Sequence, residues 1–299
     1  MTGCSHSQFI ISKEHVMNQF GGDWTRLKIE ILVEYAKAYL TIMNKYTYFR
    51  ILYFDGFAGT GFIINDKAEY HEITAGAARR IVEIDEPKSF DGYYFVEKDK
   101  DKAGLLTENT KKAFPGKQDS IFIAEEDCNN KLKALAQYLK EPKNIRNYDK
   151  VLAYIDPCGM QLEWNSINVL QGAGVDIWIL IPTGMGVNRL LKRNGDISDA
   201  WIDRLIRFLG LSENEIRKFF FKEETELTLF GEQTKITKTE RAIEKGAILY
   251  KDRLKEVFKY VTDPFPLRNK TNSTMYHLIF ASNNVTARNI ATDIITKYS

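Results

Sequence analysis

Four carboxylates each follow a short apolar run: Asp55 after residues 51–54, Glu97 after 92–96, Asp127 just beyond 120–124 and Asp156 after 151–155. The first opens a turn with little side chain, Gly56-Phe57-Ala58-Gly59-Thr60-Gly61. Glycines let a backbone take positive φ and approach a bound molecule with no Cβ in the way. Apolar runs of this length fit strands buried on both faces of a parallel sheet. Ligands of open α/β sheets sit beyond the carboxyl ends of the strands, so this turn and these acids point to a nucleotide-type ligand.

The chemistry of the acids narrows the choice. A dinucleotide fingerprint starting at Gly59 would need a third glycine where Ile64 stands, and no Gly-Lys-Ser/Thr cradle for phosphates occurs. Asp55 would repel a pyrophosphate and suits an ammonium or a ribose. Glu97 can accept from ribose hydroxyls, and Asp127, beside Cys128, from an adenine amino group. S-adenosylmethionine presents an ammonium, a ribose, an adenine and a sulfonium cation, and it is the cofactor expected at residues 55–61, Glu97, Asp127 and Cys128. Any one acid is as readily the N-cap of the next helix; recurrence at four successive exits carries the ligand reading.

Apolar residues spaced at three and four predict one amphipathic helix over 24–46, packed beside the sheet; its amino-terminal end can bring Arg26 and Lys28 toward the ligand, and a solvated face is the commoner outcome for such residues. Residues 62–73 read as an irregular loop, with Thr74 as N-cap of a helix through Ile84. Helices over 101–114 and 129–139 separate the next strands, and 176–181 is a fifth strand, an alternation that argues a parallel sheet. Helical stretches over 200–209, 213–221 and 238–257 follow, before a last pair of strands over 255–261 and 275–281 joined by a turn at 269–273. The expected division is an N-terminal helical segment over 1–48, an α/β domain over 49–188 and 256–299, and a helical insertion or cap over 189–255.

Whole-chain properties bound the function. A formal net charge of +2 over 299 residues gives no strong electrostatic footprint for nucleic acid. Three cysteines, at 4, 128 and 158, are too few and too scattered for a disulfide scaffold, and with the histidines at 6, 15, 71 and 277 they form no zinc spacing, so no metal is expected. No basic-then-apolar leader opens the chain and no apolar run nears the ~18 residues of a membrane helix, so a cytoplasmic protein with no membrane contact is expected.

The turn and the exits Phe95-Val96-Glu97, Glu126-Asp127-Cys128-Asn129 and Asp156-Pro157-Cys158-Gly159 together resemble class I S-adenosylmethionine-dependent methyltransferases. More narrowly, the chain is similar to the three-Cys-motif partner (TcmP) family of bacterial proteins over about residues 20–298. That resemblance rests on Trp24-Thr25-Arg26-Leu27-Lys28, Ile155-Asp156-Pro157-Cys158-Gly159-Met160, Ile181-Pro182-Thr183-Gly184-Met185 with Asn188-Arg189, and residues 276–282. It implies a Rossmann-like, mostly parallel seven-stranded sheet with an antiparallel last strand and a helical insertion before the last two strands. It also implies a cysteine-motif protein as partner.

In methyltransferases that act on base amino groups, a D/N-P-P-Y/F turn follows the fourth strand; here Asp156 and Pro157 match, while Cys158 and Gly159 depart from it. The resemblance thus makes Asp156 and Pro157 the catalytic candidates. The lost aromatic removes stacking worth ~1–3 kcal/mol, for which Trp164, Trp178 or a cap aromatic would have to substitute. Cys158 lacks an adjacent activator and reads as a packing residue. Two function classes fit: a methyltransferase acting on a nucleic acid base or a polypeptide, and a non-catalytic methyltransferase-like scaffold working with a cysteine-motif enzyme.

Overall fold

The computed structural model describes residues 23–65, 72–141, 148–192, 195–228 and 231–299. Cys4, His6, His15, His71 and the first 22 residues of the expected N-terminal segment lie outside them. In chain order the elements are α1 (Asp23–Met43), β1 (Arg50–Asp55), β2 (Phe62–Asn65), β3 (Glu72–Ala75), α2 (Ala77–Val82), β4 (Gly92–Glu97), α3 (Lys100–Ala113), β5 (Ile121–Glu125), α4 (Cys128–Lys140), β6 (Asp149–Ile155), α5 (Trp164–Asn168) and β7 (Val175–Ile181). Then follow α6 (Asn188–Leu190), α7 (Asp199–Leu209), α8 (Glu213–Phe220), β8 (Phe221–Thr228), β9 (Gly231–Lys238), α9 (Ala242–Val257), β10 (Tyr260–Val261), β11 (Phe265–Arg268), β12 (Thr274–Ser282) and α10 (Val285–Lys297).

The main sheet runs β5-β4-β1-β6-β7-β12-β10, with β11 also paired to β12. The pairs from β5 across to β7 are parallel, and β12 is antiparallel to β7. The short strands β10 and β11 share one edge of β12. The protein is therefore mixed α/β and Rossmann-like, with a mostly parallel sheet and an antiparallel last strand. Successive side chains of a strand point to opposite faces, and the sheet accordingly divides two cores. Val151, Ala153 and Ile155 pack on one side with α4, α5 and α7–α9, while Leu152 and Tyr154 pack on the other with α1, α2 and α10. Both faces are covered, which is why these strands read as unbroken apolar runs.

Several local expectations are corrected. Residues 62–65 and 72–75 pair as an antiparallel hairpin in place of an irregular loop. Thr74 therefore lies in β3, and the helix starts at Ala77 behind an extended Gly76. The insertion is helical at both ends yet carries the β8/β9 hairpin, in register from Phe221↔Lys238 to Thr228↔Gly231. Thr225, Thr228, Thr234, Ile236 and Thr237 supply the β-branched residues a pleated surface favours. Residues 255–257 continue α9, because Leu254 and Val257 extend the buried face set by Ala247 and Tyr250.

Candidate functional site

The carboxyl ends of β1, β4 and β6 and the segment leading from β5 into α4 bring all four acids to one edge of the sheet. Backbone bonds fix the glycine turn against the neighbouring strands: Gly56 N–H donates to Tyr154 O at 2.9 Å and Ala58 N–H to Val96 O at 3.0 Å. Gly59 and Gly61 adopt φ of 60° and 78°, a region L residues rarely enter. Gly56 is required for a different reason: a Cβ there would overlap Cys128 Sγ and lie 2.8 Å from Ile155 Cδ1. The space it leaves is filled by the chain itself.

Asp55 is 1% exposed and accepts from Phe57 N–H at 3.1 Å. Burial, opposed by that bond and reinforced by the charges of Asp156 and Glu97, pushes its pKa up to about 7. Glu97 accepts from Gly59 N–H at 3.1 Å and from Asp99 N–H at 2.9 Å, one bond per oxygen. Asp127 caps α4: its Oδ1 accepts from the amide N–H and the Nδ2 of Asn129, both at 2.9 Å, while Oδ2 pairs with Lys98 at 3.1 Å. Cys128, the first residue of α4, is buried, and burial pushes its thiol up.

Asp156 is held on one oxygen. Lys28 Nζ forms an ion pair with Oδ2, and Tyr154 Oη donates to the same atom at 3.0 Å, leaving Oδ1 without a donor among the described residues. The side chain of Lys28 is 9% exposed, and its ammonium also lies 5.1 Å from the Trp24 ring centroid. The solvated face expected for Lys28 is thus corrected: the helix turns this lysine inward, across 128 residues of sequence, onto the acid. Trp24 stacks on Tyr276 with centroids 4.9 Å apart. Trp164 and Trp178 pack in the two cores away from the cavity, whose aromatic lining includes Trp24, Phe57 and Tyr276. The exposed Cys158 is no activated nucleophile, because desolvation and the Asp156 charge push its thiol up.

Two cavities meet here. An inner one of about 120 Å³ is lined by Thr25, Lys28, Asp55, Asp156, Pro157 and Tyr276, among others, and reaches all of 57–61. An outer one of about 550 Å³ takes in Glu97, Asp127, Cys128, Arg204 and Arg207. Phe57, Gly59 and Cys158 line both. The arginines stand one turn apart on α7, a pairing the sequence reading did not single out although their i, i+3 spacing was visible. No group of His, Cys, Asp and Glu that could hold a metal occurs among the described residues. Among them, too, no helix is long and apolar enough to cross a membrane.

No family model matches the chain and no curated protein matches it by sequence. Solved structures with a similar arrangement include a protein of Legionella pneumophila, 12% identical over 93% of this chain and 94% of that one, with a TM-score of 0.46. Another is Trm1 from Pyrococcus horikoshii in complex with S-adenosyl-L-methionine, 11% identical over 92% and 72% of the two chains, TM-score 0.38. A third is a Listeria monocytogenes protein described as an S-adenosylmethionine-dependent methyltransferase, 11% identical over 86% and 99%, TM-score 0.37. At these values the likeness carries no functional argument; the fold stands on its sheet order and the site on its own geometry.

Proposed function

We propose that the protein is an S-adenosylmethionine-dependent methyltransferase whose acceptor is an amino group on a nucleic acid base. The observation that carries this reading is the joined pair of cavities, each with the polar groups one half of the cofactor needs. The outer cavity offers Glu97 to the ribose hydroxyls and, to the adenine amine, the lone pair that Asp127 Oδ2 keeps beside its ion pair with Lys98. The inner one offers Asp55 to the ammonium and Lys28 to the carboxylate. Phe57, Gly59 and Cys158, common to both, lie where the sulfonium would pass.

When bound, the cofactor supplies a methyl group already activated on sulfur. The protein's part is alignment, an effect worth up to ~7–11 kcal/mol. Asp156 Oδ1 would accept a hydrogen bond from the acceptor amine, hold the amine's lone pair toward the donor and take up the proton the amine gives up once the methyl has left sulfur for nitrogen. Tyr154 keeps the carboxylate oriented through Oδ2, and Pro157 fixes the turn. Trp24, Phe57 and Tyr276 give a base the aromatic wall that Cys158 and Gly159 do not. Arg204 and Arg207, exposed on α7 at the outer cavity, favour a polyanion over a polypeptide as acceptor. Their place supports reading residues 189–255 as a cap on the α/β domain.

The exposed Cys158 in the turn after β6, where base-modifying enzymes carry a second proline, favours a second reading: a non-catalytic scaffold that works with a cysteine-motif protein. Methyl transfer from a labelled donor to bulk RNA and DNA separates the two. Turnover should fall by about 10²–10⁴-fold in Asp156→Ala. Turnover by that variant at the rate of the unsubstituted protein would remove Asp156 from the chemistry, and no transfer to any acceptor would favour the scaffold.

A further inference from the structure

Among the described residues, Lys28 is the one basic side chain lining the inner cavity, which also presents the carboxylates of Asp55 and Asp156. Among those residues, an anionic group entering it would meet Lys28, the Thr25 hydroxyl or backbone amides. The Lys28 ammonium is committed to Asp156 Oδ2. One turn earlier on the same helix, Thr25 lines the same cavity, and its buried Oγ1 has no hydrogen-bond partner. Buried hydroxyls are ordinarily paired, so this orphan marks an acceptor not yet in place. Thr25 and Lys28 lie in the opening turns of a 21-residue helix, the end at which backbone amides and the macrodipole favour an anion.

We propose that Lys28 changes partner when the cofactor binds. In this structure it neutralises Asp156; a carboxylate received by Thr25 and Lys28 draws the ammonium off and leaves Asp156 to the acceptor amine. This inference rests on the cofactor reading above. Its physical basis is competition of two carboxylates for one cation in a small, largely buried space. A carboxylate that shares its charge with a cation on Oδ2 is a weaker acceptor at Oδ1 than a released one, so withdrawal of Lys28 strengthens the bond Oδ1 makes to the acceptor amine. Occupancy by the cofactor thereby sets the competence of the acceptor site, and by linkage the coupling is reciprocal.

The test is calorimetric titration with S-adenosylhomocysteine, which carries the carboxylate, and with adenosine, which does not. Asp156→Asn removes the competing charge while keeping the side-chain shape, and should tighten S-adenosylhomocysteine by about fivefold or more with adenosine unchanged. Lys28→Met should weaken S-adenosylhomocysteine by about tenfold or more and leave adenosine within about twofold. Should that variant fail to fold by circular dichroism, Lys28→Arg keeps the charge, and Asp156→Asn carries the decision alone. Equal or weaker S-adenosylhomocysteine binding by Asp156→Asn, with adenosine binding intact, would overturn the exchange and leave the cofactor reading standing. Failure of both ligands to bind the unsubstituted protein would overturn both.

Discussion

Asp55 shows at a single residue how this site trades stability for binding. Its carboxyl ionises at about 7 in the folded chain and near the ordinary carboxylate value when unfolded. The folded state therefore gains nothing from it below about pH 4, pays increasingly as pH rises toward 7, and bears the full cost above that, up to ~4 kcal/mol. Asp55→Asn should accordingly raise the melting temperature at pH 8 and leave it unchanged at pH 3.5, while weakening S-adenosylhomocysteine binding by about tenfold. A variant that is less stable at pH 8 would contradict the sign. The ionised acid is the form that meets an ammonium, so affinity for S-adenosylhomocysteine should climb between pH 6 and 8 in the unsubstituted protein and lie flat in the variant. Asp55 and its glycine turn were legible in the sequence because an acid after an apolar run and a glycine-rich turn are local signals. Lys28 was legible only as one of two cations near the ligand end of its helix; its ion pair was not, because its partner is distant in the chain. Tyr154 was hidden for a related reason: within an apolar strand its ring announces burial, and nothing announces the direction of its hydroxyl.

At the scale of elements, strands buried on both faces declared themselves, and the two hairpins did not. Strand β8 reads Phe-Lys-Glu-Glu-Thr-Glu-Leu-Thr, a charged stretch that resembles a solvated helix face until its pairing with β9 is known. That hairpin holds the region after β7: Lys238 Nζ donates to Asn188 O at 3.0 Å, Asn188 Oδ1 at 2.6 Å and Leu191 O at 2.8 Å. Lys238→Met should strand these acceptors, cost about 1–3 kcal/mol and lower the melting temperature in calorimetry. An unchanged melting temperature would show that the hairpin does not brace the segment. The end of α7 gives a second check. Gly210 closes that helix at φ 65°, and a Cβ there would overlap the Trp164 ring. Gly210→Ala should cost at least about 2 kcal/mol from left-handed strain and overpacking, and full stability in denaturant titration would refute the packing of α7 on α5. The helix itself was legible from its apolar period; that it delivers Arg204 and Arg207 to the outer cavity depends on where the insertion folds back, which no local pattern encodes.

Across the whole molecule, the sheet places four acids along one edge, and two joined cavities divide them by chemistry. The outer cavity has room and acceptors for a nucleoside; the inner one is small, charged and closed by the opening turns of α1. With a net charge of only +2, the proposed recognition of a nucleic acid would have to rest on local groups such as the α7 arginines. The measurement that tests the central claim most directly is calorimetric titration of the purified protein with S-adenosylhomocysteine, with NAD as the control. Micromolar binding of the first and none of the second is predicted. Heat from NAD alone, or from neither, would contradict the assignment of these cavities to S-adenosylmethionine.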